Sequence, residues 1–297
     1  MEETLLKILN AINDVVWGPP MLILLVGTDI FLTFKLLGIQ RYIFKGIKLS
    51  LAKSSKGEGD VSHFGALTTA LAATVGTGNI VGVATAVGLG GPGAVFWLWI
   101  TGVFGIATKY AETLLAVKYR TKNELGQMSG GPMYVMERGM GMKWLGVLFA
   151  FFTSIAGFGI GVTAQSNSIS DLMESTFNIP TWVTGLIVAL SVGIVIIGGI
   201  KSIAKVCEKL IPFMAIVYIL GCVIILGMNL SAVPGAIALI ISSAFKGQAV
   251  VGGFAGATVI HAIRYGVARG LFSNESGLGS APIAAAAAQT PNAAHQA

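Results

Sequence analysis

Two short clusters in an otherwise apolar chain carry residue types that could do chemistry. One is Gly76-Thr77-Gly78-Asn79, preceded by Leu71-Ala72-Ala73-Thr74-Val75. The other is Ser273-Asn274-Glu275-Ser276-Gly277-Leu278-Gly279-Ser280, followed by Pro282. Each places a Gly-x-Gly set among hydroxyl and amide side chains. In a bilayer an unwound stretch is tolerated only where protein buries it or where it lines a cavity. Interrupting a helix frees N–H groups at the start of one half and carbonyls at the end of the other. The N–H end carries positive partial charge and suits a carboxylate, and the carbonyl end suits a cation or an ammonium group. Both ends in one place would suit a zwitterion beside a metal cation. Taken singly, either glycine pair also fits plain helix packing. The polar neighbours and the recurrence of the pattern favour interruption.

The elements that must position these clusters are membrane spans. Of 297 residues, 54% are hydrophobic and only 11% charged, where soluble domains carry about a quarter charged residues. Mean hydropathy is +0.80, so lipid is the solvent for much of the surface. The 40 glycines sit inside apolar runs, where small residues let helices approach closely. A net charge of +6 reads as basic cytoplasmic loops. No soluble segment is long enough to present a nucleic-acid surface, which excludes that partner. Cys207 and Cys222 have no metal-ligand or disulfide spacing, and His63, His261 and His295 are scattered, so neither a metal centre nor a hydrolytic site is indicated. No cleavable signal peptide is visible in the acidic opening, Glu2-Glu3.

Spans are expected at about 15–37, 63–89, 94–117, 144–169, 181–200, 206–229 and 251–289, the last broken in its middle. Alternate links are basic: Arg41, Lys45, Lys48, Lys53 and Lys56, then Lys118, Arg120, Lys122 and Arg138, then Lys201 and Lys205. By the positive-inside rule these face the cytoplasm and put the N-terminus outside. Residues 40–54 read as an amphipathic helix on the inner surface, with Ile43, Phe44, Ile47 and Leu51 on one side. In this orientation the second and seventh spans run in opposite directions. Two similar broken helices, antiparallel and five spans apart, indicate an inverted repeat with its site near the bilayer midplane.

Longer stretches then carry a family resemblance. Residues 88–112, GLGGPGAVFWLWITGVFGIATKYAE, resemble the signature of the sodium:alanine symporter family, with Leu98 and Ile106 where that signature favours Met. Residues 266–286, GVARGLFSNESGLGSAPIAAA, resemble a second stretch of the same family, as do SHFGAL and GTGNI in the second span. The resemblance covers the whole chain. It implies an all-α integral membrane protein with a leucine-transporter-type inverted repeat and one extra N-terminal helix, the second repeat truncated at Ala297. The implied divisions are 1–62 (first span and cytoplasmic amphipathic helix), 63–229 (first five-helix repeat) and 230–297 (extracellular link and second broken helix). It further implies that backbone N–H groups around Gly76, Thr77 and Gly78 meet a substrate carboxylate. Asn79 is implied as a sodium ligand, joined by main-chain oxygens of Ala72, Thr74 and Val75. Ser273 and Asn274 would add a hydroxyl or carbonyl to the ion or the ammonium, and Ser276, Gly277 and Gly279 would line the pocket. Gln165 resembles a substrate-contacting residue, and Phe158 is a candidate gate or an ordinary packing aromatic.

Other motifs are set aside. Gly88-Leu89-Gly90-Gly91-Pro92-Gly93 matches a dinucleotide fingerprint literally but joins two membrane helices rather than a strand and a helix. Asn274-Glu275-Ser276 is a glycosylation sequon inside a membrane break. Glu275 and Arg269, at the second cluster, are ionisable groups at membrane depth and functional candidates on that ground. The expected function is sodium-coupled symport of a small neutral amino acid, alanine or glycine, across the cell membrane by alternating access, without enzyme chemistry. Sodium is the expected ion and the lipid bilayer the surrounding partner. Proton coupling, a non-transporting receptor and a channel are the alternatives. A channel would be expected to show a pore-lining polar stripe.

Overall fold

A computed structural model of the chain describes residues 2–50, 57–246 and 259–297. Apart from one two-stranded hairpin its regular structure is helical. Helix α1 (Glu2–Val16) leads to α2 (Pro19–Lys35), whose opening prolines fit a helix start, and Leu37 (φ 53°) and Gly38 (φ 68°) close α2 in left-handed backbone. A 3₁₀ turn and α3 (Ile43–Ser50) follow. Next come α4 (His63–Thr74), a π-helical turn at Gly78–Gly82, α5 (Val83–Gly90) and α6 (Gly93–Lys118). The hairpin pairs β1 (Thr121–Lys122) with β2 (Met128–Ser129). A short helical stretch α7 (Pro132–Tyr134) continues as a π turn to Gly139. Helices α8 (Lys143–Ala156) and α9 (Ala164–Phe177) are joined by a π-helical segment, Gly157–Thr163. Then come α10 (Thr181–Ile197), α11 (Gly199–Met228), α12 (Val233–Lys246), α13 (Val259–Asn274), α14 (Ala281–Ala285) and α15 (Ala293–Gln296).

Among the described residues four helical stretches are long and apolar enough to cross a membrane: Glu3–Lys35, Gly93–Lys118, Lys143–Phe177 and Gly199–Met228. His63–Thr74 and Gly78–Gly90 pass the same test together, as one broken span. Only 6% of the apolar window of α11 is buried within the protein. Ile216, Val217, Ile219, Leu220, Val223 and Ile224 stand exposed along it. Such a helix needs hydrocarbon as its solvent.

The chain forms two units that interleave along the sequence, and it passes from one to the other at Thr77/Gly78 and at Gly277/Leu278, inside the two glycine clusters. The first unit holds α1, α2, α5, most of α6, the end of α11, α12 and α13. Its core is Leu22, Val267 and Leu271, with Trp17, Leu25, Trp97 and Ile263 around them. Helix α13 presents Gly266 and Gly270, one turn apart, to α6. A side chain on Gly266 would run into Ala94 and Trp97, and one on Gly270 would overlap Thr101. Small residues at this spacing allow close membrane-helix packing.

The second unit holds residues 43–77, 110–220 and 278–297. Val61, Ala66, Ala204, Ala287 and Ala288 form its core with Ile200. Arg120 organises one end of it. Its Nη1 donates to the carbonyls of Ala286 (2.9 Å) and Ala288 (2.7 Å), and its Nη2 to that of Glu58 (2.6 Å). Burial pulls the Arg120 pKa below its ordinary value, while the charges of Glu58 and Asp60 draw it back; from so high a starting point it stays cationic. Asp60 accepts from the Met128 amide at 2.6 Å, and Val61 pairs with Ala288 in an isolated parallel bridge.

Most expected spans coincide with helices, and three differences have physical causes. The alanine-rich stretch after the second cluster was expected to continue as helix to 289, but the helical part is only Ala281–Ala285. The carbonyls of Ala286, Ala287 and Ala288 instead accept from Arg120, Asp60 and Val61, and these tertiary bonds outweigh alanine's helix propensity. Lys201 and Lys205, read as a link, lie inside α11, because the turn sits earlier, at Gly199 with φ 67°. The opening residues form α1, whose Leu5, Ile8, Leu9 and Ile12 have helical spacing. Of the inner-surface amphipathic helix, α3 covers 43–50, and Leu51 lies outside the described residues.

Two outcomes are expected. Gly270→Leu overpacks α13 on α6 at a cost of about 1–3 kcal/mol and should lower the thermal midpoint of the detergent-solubilised protein by several degrees. Gly27→Leu, where a Cβ meets nothing within 4 Å, should not. Arg120→Ala should accelerate amide exchange across 57–61 and 286–290 by about tenfold or more, on a loss of about 1.5–3 kcal/mol per charged hydrogen bond.

Candidate functional site

The first cluster is an interrupted helix. Serine 62 caps the start of α4, its Oγ accepting from the Gly65 amide at 2.9 Å. The last α-type bond runs from the Val75 amide to the Leu71 carbonyl at 2.7 Å. Only Val75 and Gly76 stand outside the helix; helical backbone resumes at Thr77, and Gly78 begins the π turn. Thr74 turns its hydroxyl back onto the carbonyls of Ala70 and Leu71, both at 3.3 Å. By the accounting of helix ends, the carbonyls beyond Leu71 lack intrahelical partners. The backbone oxygens of Ala72, Thr74 and Val75, expected as ion ligands, fall in this group.

Two side-chain contacts were not visible in the sequence. Within the second unit, the Thr77 hydroxyl donates to Oε1 of Gln165 in the first turn of α9. A Cβ on Gly76 would stand 3.8 Å from the same oxygen. Gln165 is therefore at the first interruption, and it follows a π-helical segment, a geometry frequent at functional sites. Within the first unit, the Ser273 hydroxyl donates to Oδ1 of Asn79. Gly78 faces the Phe272 ring and the Ser273 backbone, which a Cβ would reach at 3.5 and 3.6 Å. Residues 194 positions apart in sequence, one from each cluster, thus share a hydrogen bond.

The second cluster is interrupted more sharply. Helix α13 ends at Asn274, and Glu275 (φ 52°), Gly277 (φ 81°) and Gly279 (φ 78°) all take left-handed backbone. Alternate left-handed residues cannot continue a helix, and that conformation favours glycine over any residue with a Cβ. Ser276 is buried, and its Oγ donates to the Gly105 carbonyl at 3.3 Å. Asn274 approaches α6 at Gly102, where a Cβ would stand 3.6 Å from its Nδ2. Gly279 packs in the second unit, against Pro132 and Phe149. Phe158 lies on the π segment between α8 and α9 and is 79% exposed, so the structure brings it to neither interruption.

One buried group escaped the sequence reading. Asp29, in the middle of α2, is 2% exposed and accepts a hydrogen bond from the Thr108 hydroxyl of α6 through Oδ1. Its signal was available: it is the sole ionisable residue between Pro19 and Phe34, and an ionisable residue in a span is a functional candidate by default. Among the described residues no group of three or more His, Cys, Asp or Glu side chains could hold a metal ion. Apart from the Glu275 carboxylate, the oxygens at the interruptions are hydroxyl, amide and carbonyl groups, a hard set that suits an alkali cation better than a transition metal.

Comparison with known proteins agrees with this chemistry. The profile of the sodium:alanine symporter family matches residues 2–297. An uncharacterized transporter of Haemophilus influenzae is 57% identical over 289 residues, 97% of this chain and 63% of that protein. The sodium/alanine symporter AgcS of Methanococcus maripaludis is 53% identical over 298 residues, 98% of this chain and 65% of AgcS. A probable sodium/glutamine symporter, GlnT, of Bacillus subtilis is 39% identical over 299 residues, 100% of this chain and 61% of GlnT. The chain thus spans a little under two thirds of the length of these relatives.

Gly277→Ala tests the second interruption. Forcing alanine to φ 81° costs about 1–2 kcal/mol, and its Cβ would press on Leu25 at 2.9 Å. The variant should show a lower thermal midpoint than a Gly27→Ala control by differential scanning fluorimetry.

Proposed function

The chain belongs to the sodium:alanine symporter family, a family of transporters rather than enzymes, and from that premise we propose that it takes part in sodium-coupled symport of a small neutral amino acid, alanine or glycine, across the cell membrane. The observation that carries the proposal is the hydrogen bond between Ser273 and Asn79. It joins one polar residue from each of two interrupted helices, which favours a shared binding site over plain helix packing. Interrupted helices supply oriented backbone dipoles for a charged substrate and its ion.

On this account Asn79 Oδ1 and Ser273 Oγ are ligands of the sodium ion, which is cargo rather than a resident cofactor. The carbonyls of Ala72, Thr74 and Val75 have the same ligand chemistry. The amide groups of Gly76, Thr77 and Gly78 face the substrate carboxylate, with Gln165 held beside them by Thr77. Asn274 adds its amide to the ion or the ammonium end, and Ser276, Gly277 and Gly279 line the pocket at the second interruption. The clustering of glycines at the two interruptions suits a substrate whose side chain is a hydrogen or a methyl group, glycine or alanine. The proposed architecture is a leucine-transporter-type inverted repeat, with 63–229 as the first repeat, 230–297 opening the second, residues 1–62 as an added N-terminal element and the N-terminus outside. Transport proceeds by alternating access, with ion binding organising the interruptions before the amino acid is enclosed.

The test is uptake of labelled alanine into vesicles containing the full-length protein. Uptake should fall to background when sodium is replaced by choline, and uptake unaltered by that exchange contradicts sodium coupling. Asn79→Leu should abolish ion-dependent alanine binding by the purified protein, and wild-type binding by that variant contradicts the assigned role of Asn79.

A further inference from the structure

Helix α2 is apolar from Pro19 to Phe34 except for Asp29 and two threonines. The Asp29 carboxyl is 2% exposed, and Thr108 donates to one of its oxygens. The other oxygen, Oδ2, is buried with no hydrogen-bond partner among the described residues. One turn before Thr108 on α6 stands Gly105. A Cβ there would crowd the Ser276 hydroxyl and lie 4.0 Å from Asp29 Oδ2. The missing side chain makes room for the Ser276 hydroxyl on the side of α6 where Asp29 Oδ2 also lies. Ser276 donates to the Gly105 carbonyl at 3.3 Å, and its oxygen keeps its lone pairs. Carboxylate, two hydroxyls and a main-chain carbonyl thus converge, all of them oxygen.

A carboxylate taken out of water without a compensating positive charge is among the most unfavourable groups a protein interior can hold. A hydroxyl donor supplies a dipole but no charge. The ionisable side chains on α6, α13 and the second interruption are Lys109, Tyr110, Glu112, Lys118, His261, Arg264, Tyr265, Arg269 and Glu275. None of them donates to Oδ2, and Arg264 is engaged by Asp14 of α1 at 2.5 Å. A small cation from solution would neutralise the group where no neighbouring side chain bonds to it.

We propose that Asp29, Thr108 and Ser276, with the Gly105 carbonyl, form a monovalent-cation site separate from the Asn79–Ser273 pair. Its occupant is a sodium ion or a proton. Through Ser276, occupancy bears on the backbone of the second interruption, so the site couples a cation to the region that the symport reading assigns to substrate. The inference extends that reading, and its own test does not use the amino acid.

Infrared difference spectroscopy on the purified full-length protein, in sodium-free buffer with choline, reads the carboxyl directly, and radiosodium binding is measured in parallel without amino acid. A protonated-carboxyl band that sodium removes and choline does not, absent from Asp29→Asn, together with lower radiosodium binding in that variant, establishes the sodium form. The same band, unmoved by sodium and lost only on alkaline titration, establishes the proton form. If Asp29→Asn does not fold, Thr108→Val, which keeps the carboxyl and removes its donor, should shift the frequency of the band. A wild-type spectrum with no protonated carboxyl in sodium-free buffer, and radiosodium binding equal in wild type and whichever variant folds, overturns the proposal. Because alanine is absent throughout, failure of symport leaves these results standing, and their failure leaves the symport reading intact.

Discussion

Hydrocarbon offers no partner to a backbone N–H or carbonyl, and most of this protein follows from that constraint. A helix that stops in the bilayer must hand its free polar groups to something else. At the first interruption Thr77 reaches Gln165, and Asn79 receives Ser273. At the second, three residues in left-handed backbone redirect the chain, and Ser276 fastens the turn to Gly105 of α6. Where α14 ends, Arg120 takes up the carbonyls of Ala286 and Ala288. The glycines Gly266 and Gly270 belong to the same account, because only their absent side chains let α13 lie close enough to α6 to place Ser273 and Asn274.

On the proposed function, the same constraint bears on the choice of ion. The unused dipoles at the interruptions are neutral oxygens and amide hydrogens, and they attract charge without carrying any. Neutral donors bind a weakly held alkali cation reversibly, which a transport cycle requires, whereas a cage of carboxylates would hold it too firmly. The buried carboxylate of α2, Asp29, is no part of the Asn79–Ser273 pair. It is held by Thr108 on a helix that the second interruption also touches.

The interruptions were legible because Gly-x-Gly among hydroxyls and amides is conspicuous in an apolar run, and the helix breaks fall there. The meeting of Asn79 with Ser273 was not legible, since no local signal joins residues so far apart in sequence. Gln165 was reached only through family resemblance, and the hydrogen bond to Thr77 supplies its physical context. The alanine run misled because helix propensity is a weak preference, and the three carbonyls claimed by Arg120, Asp60 and Val61 override it. Helix α1 was missed because its apolar residues are spaced as an amphipathic stripe rather than a continuous run. Asp29 was legible and overlooked: a single acid among fifteen apolar or hydroxyl residues from Pro19 to Phe34 is a strong signal by itself.

The central claim, that Asn79 and Ser273 act as one unit on the same cation, is tested most directly by a double-mutant cycle on sodium affinity. Asn79→Ala, Ser273→Ala and the double variant of the full-length protein would be compared by sodium-dependent alanine binding. The account predicts strong non-additivity, with a coupling of about 0.5–3 kcal/mol as found for residues sharing an interaction. Additive losses, or single variants that keep wild-type sodium affinity, would contradict it.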